Sequence, residues 1–308
     1  MNLRNSILLA KQESSYGVDP TLTGASNAIL CSEPKVEPIV AEAPRDYIRG
    51  YFGNTAPIKI GEGIKITFST ELKGSGAAGT APEIGPLLQA CNMTETVDAG
   101  VSVTYALNSL TNTAESVAIE YYLDGTLHQI LGCRGTFKIS AETPMIPMIE
   151  WEFTGIYAAP SDDSNPSPTF NSTDPPPFVS ATFSIASYSA IIKTIEIDIA
   201  NEVNKRSSAN ASTGVLSYFI GDRKSTMKID PEVVALATWN PWTNLSSTSL
   251  LTVAGAFGSS AGNICTLAAK ANISSIGYGE RDGKLAVYDL NTNLCQSAGN
   301  DELSLVFT

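Results

Sequence analysis

Two pairs of carboxylates have the spacing that acid–base chemistry or cation binding requires. Glu150 and Glu152, and likewise Glu196 and Asp198, stand two residues apart. On a β-strand, the members of each pair therefore project from one face, where they could share a proton or hold a cation. Apolar residues alternate with the acids, so the simpler interpretation is that the acids form the solvent-facing side of two strands, as in an acidic inner wall.

The single histidine, His128, is a second candidate for acid–base chemistry. A catalytic base needs a positioned partner, and the nearest carboxylates in the sequence are Asp124 and Glu120. They form no recognisable triad order with any serine, and the chain has no G-x-S-x-G element. The sequence predicts that His128 is structural or lies on the surface.

The segment that begins at Asp289 (DLNTN) resembles the first half of a calcium-binding loop. Leu294 stands at the position of the required glycine, and Asn300 replaces the bidentate glutamate. The sequence thus predicts no metal site here.

A glycine-rich segment resembles a phosphate-binding loop, but no Gly-Lys-Ser/Thr follows it. We expect Gly74, Gly76 and Gly79 to let a loop bend or lie against a neighbouring subunit. With this segment excluded, the sequence predicts no catalytic residue, no metal and no cofactor.

Residues 46–61 form a second candidate loop for subunit contacts. Tyr47, Tyr51 and Phe52 lie among glycine and asparagine residues, and aromatic anchors on a flexible backbone are typical of protein interfaces. The alternative is a loop that folds back onto its own domain.

The elements that position these residues belong to a packed protein. The chain has 308 residues, of which 43% are apolar and only 16% are charged. This length and composition predict two domains with much of their surface in contact with neighbours. The net charge of -12 disfavours nucleic-acid binding. Five widely spaced cysteines predict reduced, mostly buried thiols, and the short apolar stretch Ile7–Ala10 predicts a protein used without export.

Alternation of apolar and polar residues predicts strands in both halves. Asp124-Gly125 and Asp282-Gly283 predict hairpin turns. The predicted strands contain residues 64–72, 101–107, 117–123, 149–153, 195–199 and 303–307.

Helical periodicity occurs once in each half. Pro82 opens a segment whose apolar residues Ile84 to Cys91 share one face, and a shorter apolar stripe lies between Pro231 and Trp239, before Pro241. A Pro/Ser-rich stretch separates the halves. We therefore predict domains at residues 1–159 and 178–308, two copies of one fold joined by a linker at 160–177.

Several stretches together resemble the major tail tube proteins of siphophages, and the resemblance spans nearly the whole chain. They are Leu9–Pro20, Gly74–Cys91, Leu127–Gly135, Phe153–Tyr157, Tyr278–Gly283 and Ser297–Leu303.

The resemblance implies a mainly β protein with two tandem β-sandwich domains, each with a short flanking α-helix, whose strands complete an oligomeric β-barrel. Six such domains, from a trimer of this chain, would form a ring. Stacked rings would form a hollow tail tube that conducts DNA into the host without binding it specifically.

The resemblance also implies partners. These are further copies of the chain, tail terminator and distal tail proteins, and a tape measure protein in the lumen, with no membrane. The protein would be assembled in the bacterial host cytoplasm and reside in the virion tail.

Two other functions remain open from the sequence. One is a module that recognises carbohydrate or a receptor through Trp239, Trp242 and tyrosine-rich loops. The other is a hydrolase that uses Glu150 and Glu152.

Overall fold

The computed structural model describes residues 2–45, 47–109 and 115–308. Half of the chain is β-strand and 5% is helix, whereas an average globular protein has roughly a quarter of its residues in strands. This strand content confirms the mainly β prediction. All strand pairs in the described residues are antiparallel. The strands are β1 (Ser6–Gln12), β2 (Ala28–Ile29), β3 (Ser32–Ala43), β4 (Ile58–Glu71), β5 (Met93–Asp98), β6 (Ser102–Leu107), β7 (Val117–Leu123), β8 (Thr126–Glu142), β9 (Met148–Ile156), β10 (Ser161–Asp162), β11 (Ser184–Ile185), β12 (Tyr188–Ser189), β13 (Thr194–Asp198), β14 (Asn201–Ser207), β15 (Val215–Arg223), β16 (Thr226–Ile229), β17 (Leu251–Phe257), β18 (Cys265–Arg281), β19 (Leu285–Leu294) and β20 (Leu303–Phe307), and the helices are α1 (Gly24–Asn27), α2 (Gly85–Ala90) and α3 (Trp242–Leu245).

The largest layer is an eight-stranded sheet in the order β3-β4-β9-β8-β13-β16-β19-β18. Only the C-terminal halves of the two long strands β8 and β18 belong to it. Their N-terminal halves leave the sheet and pair elsewhere, β8 with β7 and β18 with β17 and β20. Because β8 also pairs with β13, strands from both halves of the chain form one continuous layer.

The eight-stranded sheet contains the same four-stranded unit twice. The first unit has the spatial order β3-β4-β9-β8 and the second β13-β16-β19-β18. In each unit the first two strands in the sequence are neighbours, and the last two are reversed in spatial order. The pairing of β8 with β13 joins the units.

Both units carry a hairpin between their first two strands. In the first unit, β3 and β4 continue beyond the sheet to residues 44–57, and in the second, β14 and β15 form a separate two-stranded hairpin. Since neighbouring strands alternate in direction, both hairpins leave one end of the sheet. The turns at 143–147 and 282–284 lie at the opposite end.

One continuous hydrophobic cluster joins the apolar side of this sheet to the other elements. It includes Ile66 and Trp151 from the first half, Ile197 and Leu305 from the second, and Leu87 of α2. A further sheet, β12-β11-β17-β18-β20-β6-β5, also contributes to the cluster and mixes strands of both halves.

The linker stretch contacts both halves, since the side chain of Asn263 in the second half donates to the carbonyl of Asp174. Its residues Ser161 and Asp162 pair with β8, and the side chain of Asn171 donates to the carbonyl of Gly74. The domain boundaries at residues 160–177 remain a prediction.

The helix prediction was right for α2 and wrong for the second half. Residues 231–239 are not helical, because the N–H of Val233 donates to Ala286 and Glu232 bridges to Val287. These backbone groups are used by pairing with β19. A short helix, α3, begins after Pro241, so this proline precedes a helix instead of ending one.

The structure confirms the predicted turn at Asp124-Gly125 and the predicted reduced cysteines. Asp124 and Gly125 have positive φ values of 46° and 97°, as a two-residue hairpin turn requires. All five cysteines are free, three of them buried, and burial raises the pKa of the Cys265 thiol to about 12.

Candidate functional site

The four acids singled out in the sequence lie on one polar face of the eight-stranded sheet. Glu150 and Glu152 lie on β9, Glu196 and Asp198 on β13, and β8 runs between them. Lys138 of β8 is directly opposite Glu150 on one side and Asp198 on the other. The structure therefore brings both pairs together around a lysine that sequence spacing could not assign to them.

Lysines on neighbouring strands compensate part of this negative charge. Lys138 Nζ is 3.2 Å from Glu196 Oε2, and this hydrogen bond raises the pKa of Lys138. Lys65 Nζ is 2.6 Å from Glu152 Oε2. These pairs are substantially exposed, so each contributes little to stability.

A row of three charged residues occurs once in each four-stranded unit. Glu37 is opposite Lys65, which contacts Glu152. Glu196 is opposite Lys228, whose Nζ is 3.5 Å from Asp289 Oδ1. Each row thus contains two acids and one lysine, so carboxylates outnumber lysines in it.

The polar face carries paired charges and is suited to a wetted surface. Among residues 2–45, 47–109 and 115–308, no group of three or more His, Cys, Asp or Glu side chains could hold a metal ion. Asp289, which resembled a calcium ligand, lies within β19 in extended conformation.

His128 lies on β8, partly buried and stacked on Tyr121 with 6.2 Å between ring centroids. Burial lowers the pKa of His128. The two carboxylates nearest in sequence have other contacts: Asp124 accepts from Asn2 and Asn5, and Glu120 from Tyr122 and Gln129.

The glycine-rich loop at residues 74–79 lies against loops of the same chain. The N–H of Gly76 donates to the carbonyl of Gly262 at 2.9 Å, and a Cβ at Gly74 would lie 2.1 Å from the same oxygen. A Cβ at Gly79 would lie 2.2 Å from the backbone nitrogen of Gly100. These glycines permit close backbone approach, and a contact with a neighbouring subunit remains a prediction.

The tip of the β3–β4 hairpin, here called the arm (residues 44–57), presents aromatic side chains to solvent; Asp46 lies outside the described residues. The exposed fractions of Tyr47, Tyr51 and Phe52 are 66%, 93% and 111%. The strands below the tip also expose apolar residues on both faces, namely Ile39, Val40, Ile58 and Ile60. Exposed apolar surface of this kind marks interaction sites in soluble proteins.

The eight-stranded sheet has two free edges. In the described parts of the chain, no strand pairs with the outer side of β3 or with the outer side of β18 beyond Ala271. Pro34 and Pro38 lie in β3, a placement typical of edge strands because proline cannot donate to a neighbour. Free edges invite pairing with another chain.

The tryptophans of the carbohydrate alternative do not form an open platform. Trp239 is 9% exposed, since it stacks on Tyr188 at 5.0 Å and meets Tyr288 edge-on. Trp242 lies apart from it, against Tyr278.

Comparison with known proteins adds one match. A family model described as phage tail tube protein matches residues 4–302. No curated protein matches the chain. Among the described residues, no helix is long and apolar enough to cross a membrane.

Proposed function

The chain belongs to the phage tail tube protein family, and from this premise we propose that its copies close into rings that stack as the hollow tube of a siphophage tail. The family makes it a structural component of the phage tail that assembles with itself and with other tail proteins. The ring, its stoichiometry and the passage of DNA are our proposal.

The observation that carries the proposal is the eight-stranded sheet with two free edges. Its even number of alternating strands leaves β3 and β18 antiparallel to one another. The next copy can therefore continue the sheet through an antiparallel pair. Closing the sheet on itself would leave no exposed edge.

Three copies give a barrel of suitable width. With strands about 4.8 Å apart and tilted by about 40°, roughly 24 strands enclose a cylinder about 48 Å across at the backbone. Side chains would narrow the lumen to roughly 35–40 Å, which admits a DNA duplex. The two units in each chain then provide six similar wedges around the axis.

The polar face is the side that would line the lumen. Its opposite side is buried in the core cluster, so the face with Glu150, Glu152, Glu196 and Asp198 is the one left for solvent. A basic lumen would grip phosphates by releasing counterions. A face in which acids exceed lysines lets DNA pass without holding it.

The arm supports stacking of rings. It leaves one end of the sheet, and a contact between that end and the opposite end of the next ring is heterologous, which produces an open filament. The tube would be capped by terminator and distal tail proteins, enclose a tape measure protein during assembly in the host cytoplasm, and remain in the virion.

Electron microscopy of the purified chain tests the proposal. We expect rings or tubes of uniform diameter whose class averages show three-fold symmetry. A chain that stays monomeric at high concentration, in the presence of a tail initiator complex as well as alone, would refute it.

A further inference from the structure

We propose that β3 of one copy pairs with the C-terminal half of β18 of the next copy in a defined register, with Glu37 opposite Arg281 and Ile39 opposite Gly279. This inference rests on the proposed function, because it specifies the joint by which copies form a ring. It follows from the internal repeat of the chain.

Charged rows align the two units residue by residue. Superposing the row Glu37, Lys65 and Glu152 on the row Glu196, Lys228 and Asp289 makes each acid and each lysine equivalent.

The same superposition matches features that were not used to make it. Trp151 becomes equivalent to Tyr288, and both are buried, at 2% and 1% exposure. The irregularity between Leu131 and Arg134 of β8 coincides with the one between Ile273 and Ser275 of β18.

The joint between the units inside one chain is then a template for the joint between chains. On β8 and β13, Ser140 is opposite Glu196 and Lys138 is opposite Asp198. The equivalents of Ser140 and Lys138 on β18 are Arg281 and Gly279. The equivalents of Glu196 and Asp198 on β3 are Glu37 and Ile39, which fixes the register.

Exposure of apolar side chains supports this register. Ile199 and Phe137 meet at the internal joint, where the N–H of Ile199 donates to the carbonyl of Phe137 and the two residues are 0% and 1% exposed. Their equivalents, Val40 and Tyr278, are 38% and 66% exposed. The proposed register places Val40 opposite Tyr278 and covers both.

Charge at the joint between copies differs from that at the internal joint. Arg281 already contacts Asp230 at 3.0 Å and Glu232 at 2.9 Å, and Glu37 would extend this network. Glu280 takes the position of Ile139, so the joint between copies is more polar on its core side.

Prolines make the joint selective. Pro34 and Pro38 are equivalent to Lys193 and Ile197, and the carbonyl of Lys193 accepts from Thr143 across the internal joint. At the equivalent outward positions of β3, the prolines keep their carbonyls and lack N–H groups. The edge is therefore a poor template for chance pairing, and the side-chain contacts decide the partner.

A disulfide between copies tests the register. Ile199 and Phe137 form a hydrogen-bonded pair of the antiparallel ladder at the internal joint. Val40 and Tyr278 are their equivalents, so they form a hydrogen-bonded pair at the joint between copies. Ile39 and Gly279 are then a non-hydrogen-bonded pair with Cα atoms about 4.5 Å apart, within the range of a disulfide. A Cβ at Gly279 meets only the side-chain carbon Cγ2 of Val287, at 3.3 Å.

Oxidation of assembled tubes of the Ile39→Cys/Gly279→Cys variant should shift the chain from monomer to dimer and trimer on non-reducing gels. The controls are the wild type with its native cysteines, each single variant, and Ile39→Cys/Gly277→Cys. In the last of these, the second cysteine lies two residues along β18 from the proposed partner of Ile39, a shift of about 7 Å. Each control should remain monomeric on the gel.

The outcomes separate the inference from the proposed function. Tubes that cross-link only in the shifted pair, or in neither pair, would overturn the register while leaving tube formation intact. Absence of rings and tubes in the wild type would overturn both.

Discussion

Phe137 and Tyr278 occupy equivalent positions in the two four-stranded units, yet Phe137 is 1% exposed and Tyr278 is 66% exposed. The difference arises from their neighbours. β8 is covered by β13, whereas in the described residues no strand pairs with the outer side of β18 next to Tyr278. One unit is thus completed within the chain, and we propose that a second copy completes the other.

Replacing Tyr278 should separate folding from assembly. We expect Tyr278→Ser to change the free energy of unfolding by less than about 1 kcal/mol, because most of the ring is in solvent. Assembly should weaken by about 2 kcal/mol or more, roughly 30-fold, as for an aromatic residue central to an interface. The critical concentration for tube formation, measured by sedimentation, checks this.

The equivalent residue provides the control for that variant. Phe137→Ala removes a buried ring and should lower the free energy of unfolding by about 3–5 kcal/mol, measured by denaturant titration. If Tyr278→Ser assembled at the wild-type critical concentration, this edge of β18 could not be the contact between copies.

A glycine in β4 should prove essential for seating the β14–β15 hairpin. A Cβ at Gly63 would lie 2.1 Å from the hydroxyl oxygen of Tyr218 and 3.2 Å from its Cζ. We expect Gly63→Ala to cost about 1–3 kcal/mol of stability through overpacking, and Tyr218→Phe in the same chain to recover most of that loss. Denaturant titration measures both.

Gly61→Ala is the matched control, because the nearest atom to its Cβ is 3.7 Å away. Equal losses at positions 61 and 63 would show that contact with Tyr218 is not the cause.

Local patterns determined how much of this fold could be predicted from the sequence. Alternation located β7, β9 and β13 to within a few residues, because a strand with one buried face must alternate, but it missed the first six residues of β4. The Asp124-Gly125 turn was predictable because few residue types tolerate its positive φ.

Contacts between distant strands could not be predicted in the same way. Nothing near Glu196 in the sequence indicates that Lys138 contacts it, since the pairing of β8 with β13 is set by packing of the two units. The second helix was misplaced for a similar reason. The backbone around Glu232 pairs with β19, and this tertiary contact overrides a short apolar stripe.

The aromatic tip of the arm should matter for stacking and not for folding. We expect Tyr51→Ser/Phe52→Ser to leave the free energy of unfolding unchanged, because both side chains are in solvent, while rings no longer stack into long tubes. Electron microscopy measures tube length. Leu3→Ser, at a residue 78% exposed elsewhere on the surface, is the control, and normal tube length in the arm variant would contradict the proposed contact.

Charge on the polar face should control passage of DNA. Replacing Glu150, Glu152, Glu196 and Asp198 together by lysine should slow DNA release from assembled particles, and the slowing should diminish as salt is raised, because phosphate contacts release counterions. Release rates followed with a DNA-binding dye give the measurement. A glutamine and asparagine variant at the same positions controls for shape, and identical rates in both variants would show that this face does not meet DNA.

The free energy of unfolding should depend on pH in part through Asp301, which lies near the C-terminus. Its carboxylate accepts a hydrogen bond from Lys270 Nζ and another from the N–H of Ser297 at 2.8 Å, which holds the pKa of Asp301 well below its ordinary value. A depressed pKa in the folded state stabilises the fold above the unfolded pKa of about 3.9, and this contribution is lost as the pH falls through the folded value. We therefore expect the wild type to exceed Asp301→Asn in free energy of unfolding by a constant amount from pH 7 to about 5. Below that range the gap should narrow, since the unfolded chain takes up the proton first. Denaturant titrations of both proteins across this pH range measure the difference in free energy of unfolding. The contributions of all other acids are common to both proteins and cancel in this difference. A difference that stayed constant into the acid range would show that Asp301 is not held ionised by these contacts.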